Sequence, residues 1–150
     1  MKVKDIMTKN VIVVSPETPI NKVAEELYKN GFTGVPVVEG NKLVGIITEA
    51  DLVMQKAKIH FPQYIQILDS FLYLENPGKI ELEMHKVLGT KAKEIMNPDV
   101  YTIDADASVE ELVELITTHH LNPVPVVKNN KLVGIVSRAD LVKLLIKNNK

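Results

Sequence analysis

The sequence predicts an α/β (α+β) fold built from two tandem βαββα repeats with a helical insert between them. Three observations carry that expectation. The chain matches itself at a single ungapped offset: Asp5-Ile6-Met7 against Glu94-Ile95-Met96, Val35-Pro36-Val37-Val38 against Val124-Pro125-Val126-Val127, and Asn41-Lys42-Leu43-Val44-Gly45-Ile46 against Asn130-Lys131-Leu132-Val133-Gly134-Ile135. Each copy shows the same succession of short apolar runs, read as strands, and 3.6-residue spacing, read as helices. And 150 residues of which 45% are hydrophobic suffice for one core, or for two small cores that share a face.

The elements follow in order. Residues 11–14 and 100–103 are short β-branched runs and read as buried strands. Ile20, Val23, Ala24 and Leu27 recur at helical spacing, as do Val109, Leu112, Val113 and Ile116. Thr18 before Pro19 marks the start of the first of these helices, and Ser108 with Glu111 forms a capping box for the second. Gly31 stops the first helix. Two hairpins follow, residues 35–38 and 43–48 around Glu39-Gly40-Asn41-Lys42, and their counterparts around Lys128-Asn129-Asn130-Lys131. A last helix starts at Thr48 in one copy and Ser137 in the other, carrying Leu52 and Val53, or Leu141, Val142, Leu144 and Leu145.

These boundaries divide the chain into a first repeat over 1–58, an insert over 59–90 and a second repeat over 91–150. In the insert, Phe61, Tyr64, Ile65, Leu68, Phe71 and Leu72 fall on one helical face, and Ile80, Met84, Val87 and Leu88 suit a second short helix ended by Gly89. Asn76-Pro77-Gly78 is a turn between them. So apolar an insert must cover something: its own module, a second copy or a partner.

Composition removes several function classes. There is no cysteine, hence no disulfide, thiolate nucleophile or cysteine-based zinc site. Eighteen Lys and Arg against nineteen Asp and Glu leave no basic excess for nucleic acid. No stretch approaches the ~20 apolar residues of a membrane span, and the first residues lack the apolar core of a signal peptide, so a cytoplasmic protein is expected. His60, His85, His119 and His120 stand in no metal-ligand spacing, and no phosphate loop or nucleophile elbow is present. No catalytic residue and no metal ligand is expected. His119-His120 near a helix end suits the helix dipole.

One motif carries chemistry. Thr48 and Ser137 each end an apolar strand and open a helix, beside unpaired backbone N–H groups and the positive end of the helix dipole, where an anion is stabilised. Asp51 and Asp140, three residues on, lie in the first helical turn, where a carboxylate can accept both hydroxyls of a ribose. Phosphate at the hydroxyl and ribose at the carboxylate describe a nucleotide. The same Ser/Thr-x-x-Asp spacing also makes a capping box that needs no ligand.

The acidic-Ile-Met start, the Val-Pro-Val-Val strand and the paired segments Gly45-Ile46-Ile47-Thr48-Glu49-Ala50-Asp51 and Gly134-Ile135-Val136-Ser137-Arg138-Ala139-Asp140 together resemble the cystathionine-β-synthase-type (CBS) domains, which occur in pairs as Bateman modules. The resemblance covers both repeats and not the insert. It implies two copies packed by their sheets about a pseudo-twofold axis, leaving two clefts. One would join Met7, Val11, Ile12, Thr33, Gly34 and Pro36 to Ile135, Ser137, Arg138 and Asp140; the other would join Met96, Val100, Tyr101, Asn122, Pro123 and Pro125 to Ile46, Thr48, Glu49 and Asp51. Arg138 can pair with phosphate oxygens whereas Glu49 repels them, so the Asp140 cleft is expected to take AMP, ADP or ATP. The Asp51 cleft is expected to be empty, weaker, or suited to an uncharged or cationic adenosine derivative such as S-adenosylmethionine. The resemblance further implies a sensor with no required cofactor, a homodimer formed through the last helices, and a separate regulated protein; a ligand-free interaction scaffold and an unrecognised enzyme are the alternatives.

Overall fold

The computed structural model describes residues 1–57 and 90–148. The expectations placed on the insert, including its helices, its turn, His60 and His85, lie outside the described residues. The first repeat contains α1 (Val3–Ile6), α2 (Ile20–Asn30), β1 (Gly34–Glu39), β2 (Lys42–Thr48) and α3 (Glu49–Ala57); the second contains α4 (Ala92–Ile95), β3 (Ile103–Asp104), α5 (Val109–His119), β4 (Val124–Lys128), β5 (Lys131–Val136) and α6 (Arg138–Lys147).

The hairpins obey the offset down to their irregularities. β1 pairs antiparallel with β2 and β4 with β5, and both ladders slip by one residue at equivalent places, Val37/Val38 and Val126/Val127. Gly40 takes positive φ in the first turn, where Asn129 and Asn130 do so in the second, the residue types that tolerate a tight hairpin turn. The helices bury a narrower stripe than their spacing predicts. Ile20, Val23 and Leu27 are buried in α2, and Val109, Leu112 and Ile116 in α5, while the equivalent Ala24 and Val113 both face outward. Ser108 and Glu111 form the expected capping box, at 3.1 and 2.7 Å. Thr18 does not cap α2; its hydroxyl oxygen instead accepts from the Ser15 N–H at 3.0 Å, and Pro19 holds the N-cap.

The expected buried strands at 11–14 and 100–103 shrink to their last residues. Val14 bridges Val37 in parallel, and β3 begins only at Ile103, beside Val126. Val13 and Tyr101 are more than two-fifths exposed. A β-branched run favours extended backbone whether or not a neighbouring strand exists, and here most of the run is spent bordering cavities.

The cores reveal an exchange. Val3 is buried with Ile103, Leu112, Val124, Val126 and Val136 of the second repeat, with Ile6 and Met7 packed against them. Conversely Ala92 is buried with Val14, Val23, Leu27, Val35, Val37 and Ile47 of the first repeat, with Ile95 and Met96 alongside. The leading arm of each repeat therefore completes the other repeat's core. Backbone hydrogen bonds fix both arms: the Val3 N–H donates to the Ala107 carbonyl, and the Ala92 N–H to the Thr18 carbonyl. Exposed ion pairs repeat the pattern, with Asp106 holding Lys2 and Lys4 of one arm and Glu17 holding Lys91 and Lys93 of the other.

Candidate functional site

Each arm ends by pairing with the far hairpin. Thr8 exchanges both backbone hydrogen bonds with Ile135 (2.8 and 2.9 Å), and Asn97 does the same with Ile46 (2.9 and 3.1 Å). Glycine makes this approach feasible. A Cβ on Gly134 would lie 2.5 Å from the Met7 sulfur, and one on Gly45 would lie 2.5 Å from the Met96 sulfur. Beyond these crossings the chain following each arm faces the strand-to-helix junction of the other repeat across a cleft.

The first cleft, of about 300 Å³, brings together Val11, Ile12, Thr33 and Gly34 with Ile135, Ser137 and Asp140, adding Asn10, Asn30, Phe32 and Lys143. The second, of about 480 Å³, brings together Val100, Tyr101, Asn122 and Pro123 with Ile46, Thr48, Glu49 and Asp51, adding Asp99, His119 and His120. Thr33, Asn122 and Pro123 border both, so the two cavities meet near the pseudo-twofold axis. Both volumes fall within the ~300–1,000 Å³ of small-molecule pockets.

Five expected residues stand elsewhere. Met7 and Met96 fill the notches over Gly134 and Gly45 and pack on the cores instead of bordering a cleft. Pro36 and Pro125 are fully buried in the sheets, opposite Ile46 and Ile135. Arg138 borders the second cleft, not the first: its backbone N–H donates to the Asn122 side-chain oxygen at 3.1 Å, at the meeting point of the cavities. The positive group at the first cleft is Lys143, whose ammonium lies 3.8 Å from Asp140 Oδ1. Three residues past Asp140 on α6, it shares that helix face, and this spacing was the signal for it. Asp99 and His119 had none, because nothing in their own sequence surroundings indicates a cavity.

The Ser/Thr-x-x-Asp motif forms its helix cap in both repeats, and the N–H groups expected to stand unpaired there are engaged: those of Thr48 and Ser137 by the capping carboxylates, that of Glu49 by the Thr33 carbonyl and that of Arg138 by Asn122. Asp140 Oδ2 accepts from the Ser137 N–H (2.8 Å) and hydroxyl (3.0 Å), and Asp51 Oδ2 accepts from the Thr48 N–H (2.8 Å) and hydroxyl (3.0 Å). The cap occupies one carboxylate oxygen and fixes its orientation, while Oδ1 carries no hydrogen bond among the described residues, that of Asp140 facing the Lys143 ammonium at 3.8 Å. A carboxylate so held is arranged in advance for a diol.

Charge separates the clefts. The first has one carboxylate, Asp140, and one ammonium, Lys143. The second has Glu49, Asp51 and Asp99 against Arg138 alone, and its Tyr101 ring is stacked on His119 with centroids 4.2 Å apart. At equivalent positions the first cleft has Ile12 and Asn30. Among the described residues no cluster of His, Asp and Glu is arranged to hold a metal, and no helix is long and apolar enough to cross a membrane.

The profile of the CBS domain matches twice, at residues 3–58 and 92–147. The chain belongs to the CBS-domain family. As a tandem CBS pair it is 31% identical over 142 residues to YlbB of Bacillus subtilis, covering 93% of this chain and 79% of that one. It spans only 46% and 32% of the length of two longer relatives from Methanocaldococcus jannaschii. Among solved structures, CBSX2 in complex with AMP superposes with a TM-score of 0.75 at 24% identity, covering 99% of this chain and 98% of that one. The CBS pair of MJ0100, in complex with 5′-methylthioadenosine and S-adenosylmethionine, superposes with a TM-score of 0.72 at 25% identity, with coverages of 99% and 98%.

Proposed function

We propose that this CBS pair is a non-catalytic regulatory module that binds adenosine-derived ligands and controls a separate partner protein. The observation that carries the reading is the capped carboxylate at each cleft, with one oxygen engaged by its own helix and the other available to a ribose. An apolar wall contributed by the opposite repeat, Val11 and Ile12 in the first cleft and Val100 and Tyr101 in the second, suits a purine. The ligands of CBSX2 and MJ0100 support the same class. The first cleft, near electrical balance and carrying Lys143, suits the phosphate-bearing ligands AMP, ADP or ATP. The second, with its carboxylate excess, suits 5′-methylthioadenosine or cationic S-adenosylmethionine. Binding would act by favouring one of two states with different ligand affinity. The exposed Val53 and Met54 of α3 and Val142, Leu145 and Ile146 of α6 suit a homodimer face.

Calorimetric titration with AMP tests the reading. Asp140→Ala is expected to lose about 10- to 100-fold in affinity, the worth of a hydrogen bond to a charged group, with Asp51→Ala nearly unchanged. Full AMP affinity in Asp140→Ala, in protein of unaltered fold, would mean that the carboxylate is only a helix cap.

A further inference from the structure

We propose that a basic groove on the back of the first cleft binds a multiply charged phosphoryl anion, and that the chain segment between the two cavities couples them. The groove, of about 370 Å³, lies between residues 9–13, the β1–β2 turn and the start of β5. This segment bends at Lys9 and Asn10, where the Val11 N–H donates to the Lys9 carbonyl at 3.1 Å, and its residues divide between the two cavities. Thr8, Asn10 and Ile12 border the first cleft, Lys9 and Val13 border the groove, and Val11 borders both. One strip of chain is thus the common wall of two cavities.

Lys9 and Lys131 stand in the groove lining, which includes no acidic residue. Among the described residues neither lysine has a carboxylate partner, whereas Lys2, Lys4, Lys91, Lys93 and Lys128 all do. Two unneutralised ammonium groups in one groove attract an anion. Ammonium groups act on phosphate as point charges with rotatable donors and do not select planar groups. The feature belongs to one side only, since Pro98 occupies the position equivalent to Lys9. Because both cavities share their wall, an anion that prefers one position of residues 9–13 changes affinity in the first cleft, and a ligand there changes the anion's affinity by the same factor. The groove itself is independent of the nucleotide reading; the coupling rests on it.

Tripolyphosphate is the probe, titrated calorimetrically into the wild-type chain, the Lys9→Gln/Lys131→Gln variant and Asp140→Ala, each with and without AMP. Tripolyphosphate is expected to bind wild type and Asp140→Ala alike and to lose at least about tenfold in the double variant, which retains AMP binding as its control of fold. In wild type, AMP and tripolyphosphate should shift each other's affinity by one common factor. ATP that competes with tripolyphosphate in wild type but not in Asp140→Ala identifies the tail of a cleft-bound nucleotide as the anion; tripolyphosphate binding without such competition identifies a free polyphosphate. The groove is overturned if tripolyphosphate fails to bind wild type, binds the double variant equally well, or is lost from Asp140→Ala together with AMP. Equal affinities with and without AMP overturn the coupling. If AMP fails to bind while tripolyphosphate binds through the lysines, the nucleotide reading falls and the groove stands.

Discussion

The two clefts descend from one pattern and differ in what surrounds it. Both keep the capped carboxylate with the same pair of hydrogen bonds, at 2.8 and 3.0 Å. Around that constant centre Asn10 becomes Asp99, Ile12 becomes Tyr101, Asn30 becomes His119 and Lys143 replaces Met54. Duplication preserved the capped carboxylate and left the residues around it free to diverge. Under the proposed function, one module would thereby respond to two members of a single chemical class.

The largest expected effect comes from closing the notch behind either cleft. Gly134→Ala drives a methyl into Met7 and the Thr8 carbonyl, and Gly45→Ala drives one into Met96. Each is expected to cost about 1–3 kcal/mol by overpacking, read as a lowered thermal midpoint. Gly134→Ala should also weaken AMP binding more than Gly45→Ala does, since only its arm leads into the first cleft. Equal weakening by both would erase the distinction between the clefts.

A charge series sharpens the comparison further. In Asp140→Ala, which leaves only the second cleft intact, affinity is expected to fall from S-adenosylmethionine through 5′-methylthioadenosine to AMP, by about 3- to 10-fold per step for partly screened charges. Adding Glu49→Gln and Asp99→Asn should flatten that order. An unchanged order would remove electrostatics as its cause.

The smallest effect concerns the clamps on the arms. Hydrogen bonds from Lys91 and then Lys93 hold the Glu17 carboxyl down from 4.5 to about 2, and Lys128 and Lys4 lower that of Asp106. A carboxyl depressed on folding stabilises the fold above its unfolded pKa, and the contribution disappears as pH falls through the folded one. Glu17→Gln should therefore lower the thermal midpoint slightly at pH 7 and by less at pH 2, where the carboxyl is about half protonated, with salt reducing the difference. A difference as large at pH 2 as at pH 7 would assign the effect to packing.

Much of this architecture was legible in the residues. The offset of Asp51 to Asp140 foretold paired hairpins and helices, because strand and helix periodicities are local properties. The carboxylate and its cap were legible for the same reason. The exchange of arms was not: Val3 and Ala92 are as apolar for a neighbour's core as for their own. Arg138 borders the second cleft and not the first, because which cavity a residue at the helix start meets is set by tertiary packing that the motif does not encode. Residues 11–13 were misread because β-branched side chains do not report whether a strand or a cavity lies beside them.

The exchanged arms also bear on ancestry. A single copy of the repeat leaves its own core short of one piece and its own arm without a place. Two identical copies that trade arms cure both defects at once, so the unit is solvent-compatible only as a pair. Fusion of two such copies would then have frozen the association of two chains into one chain, releasing its halves from identity and letting the two cavities drift apart.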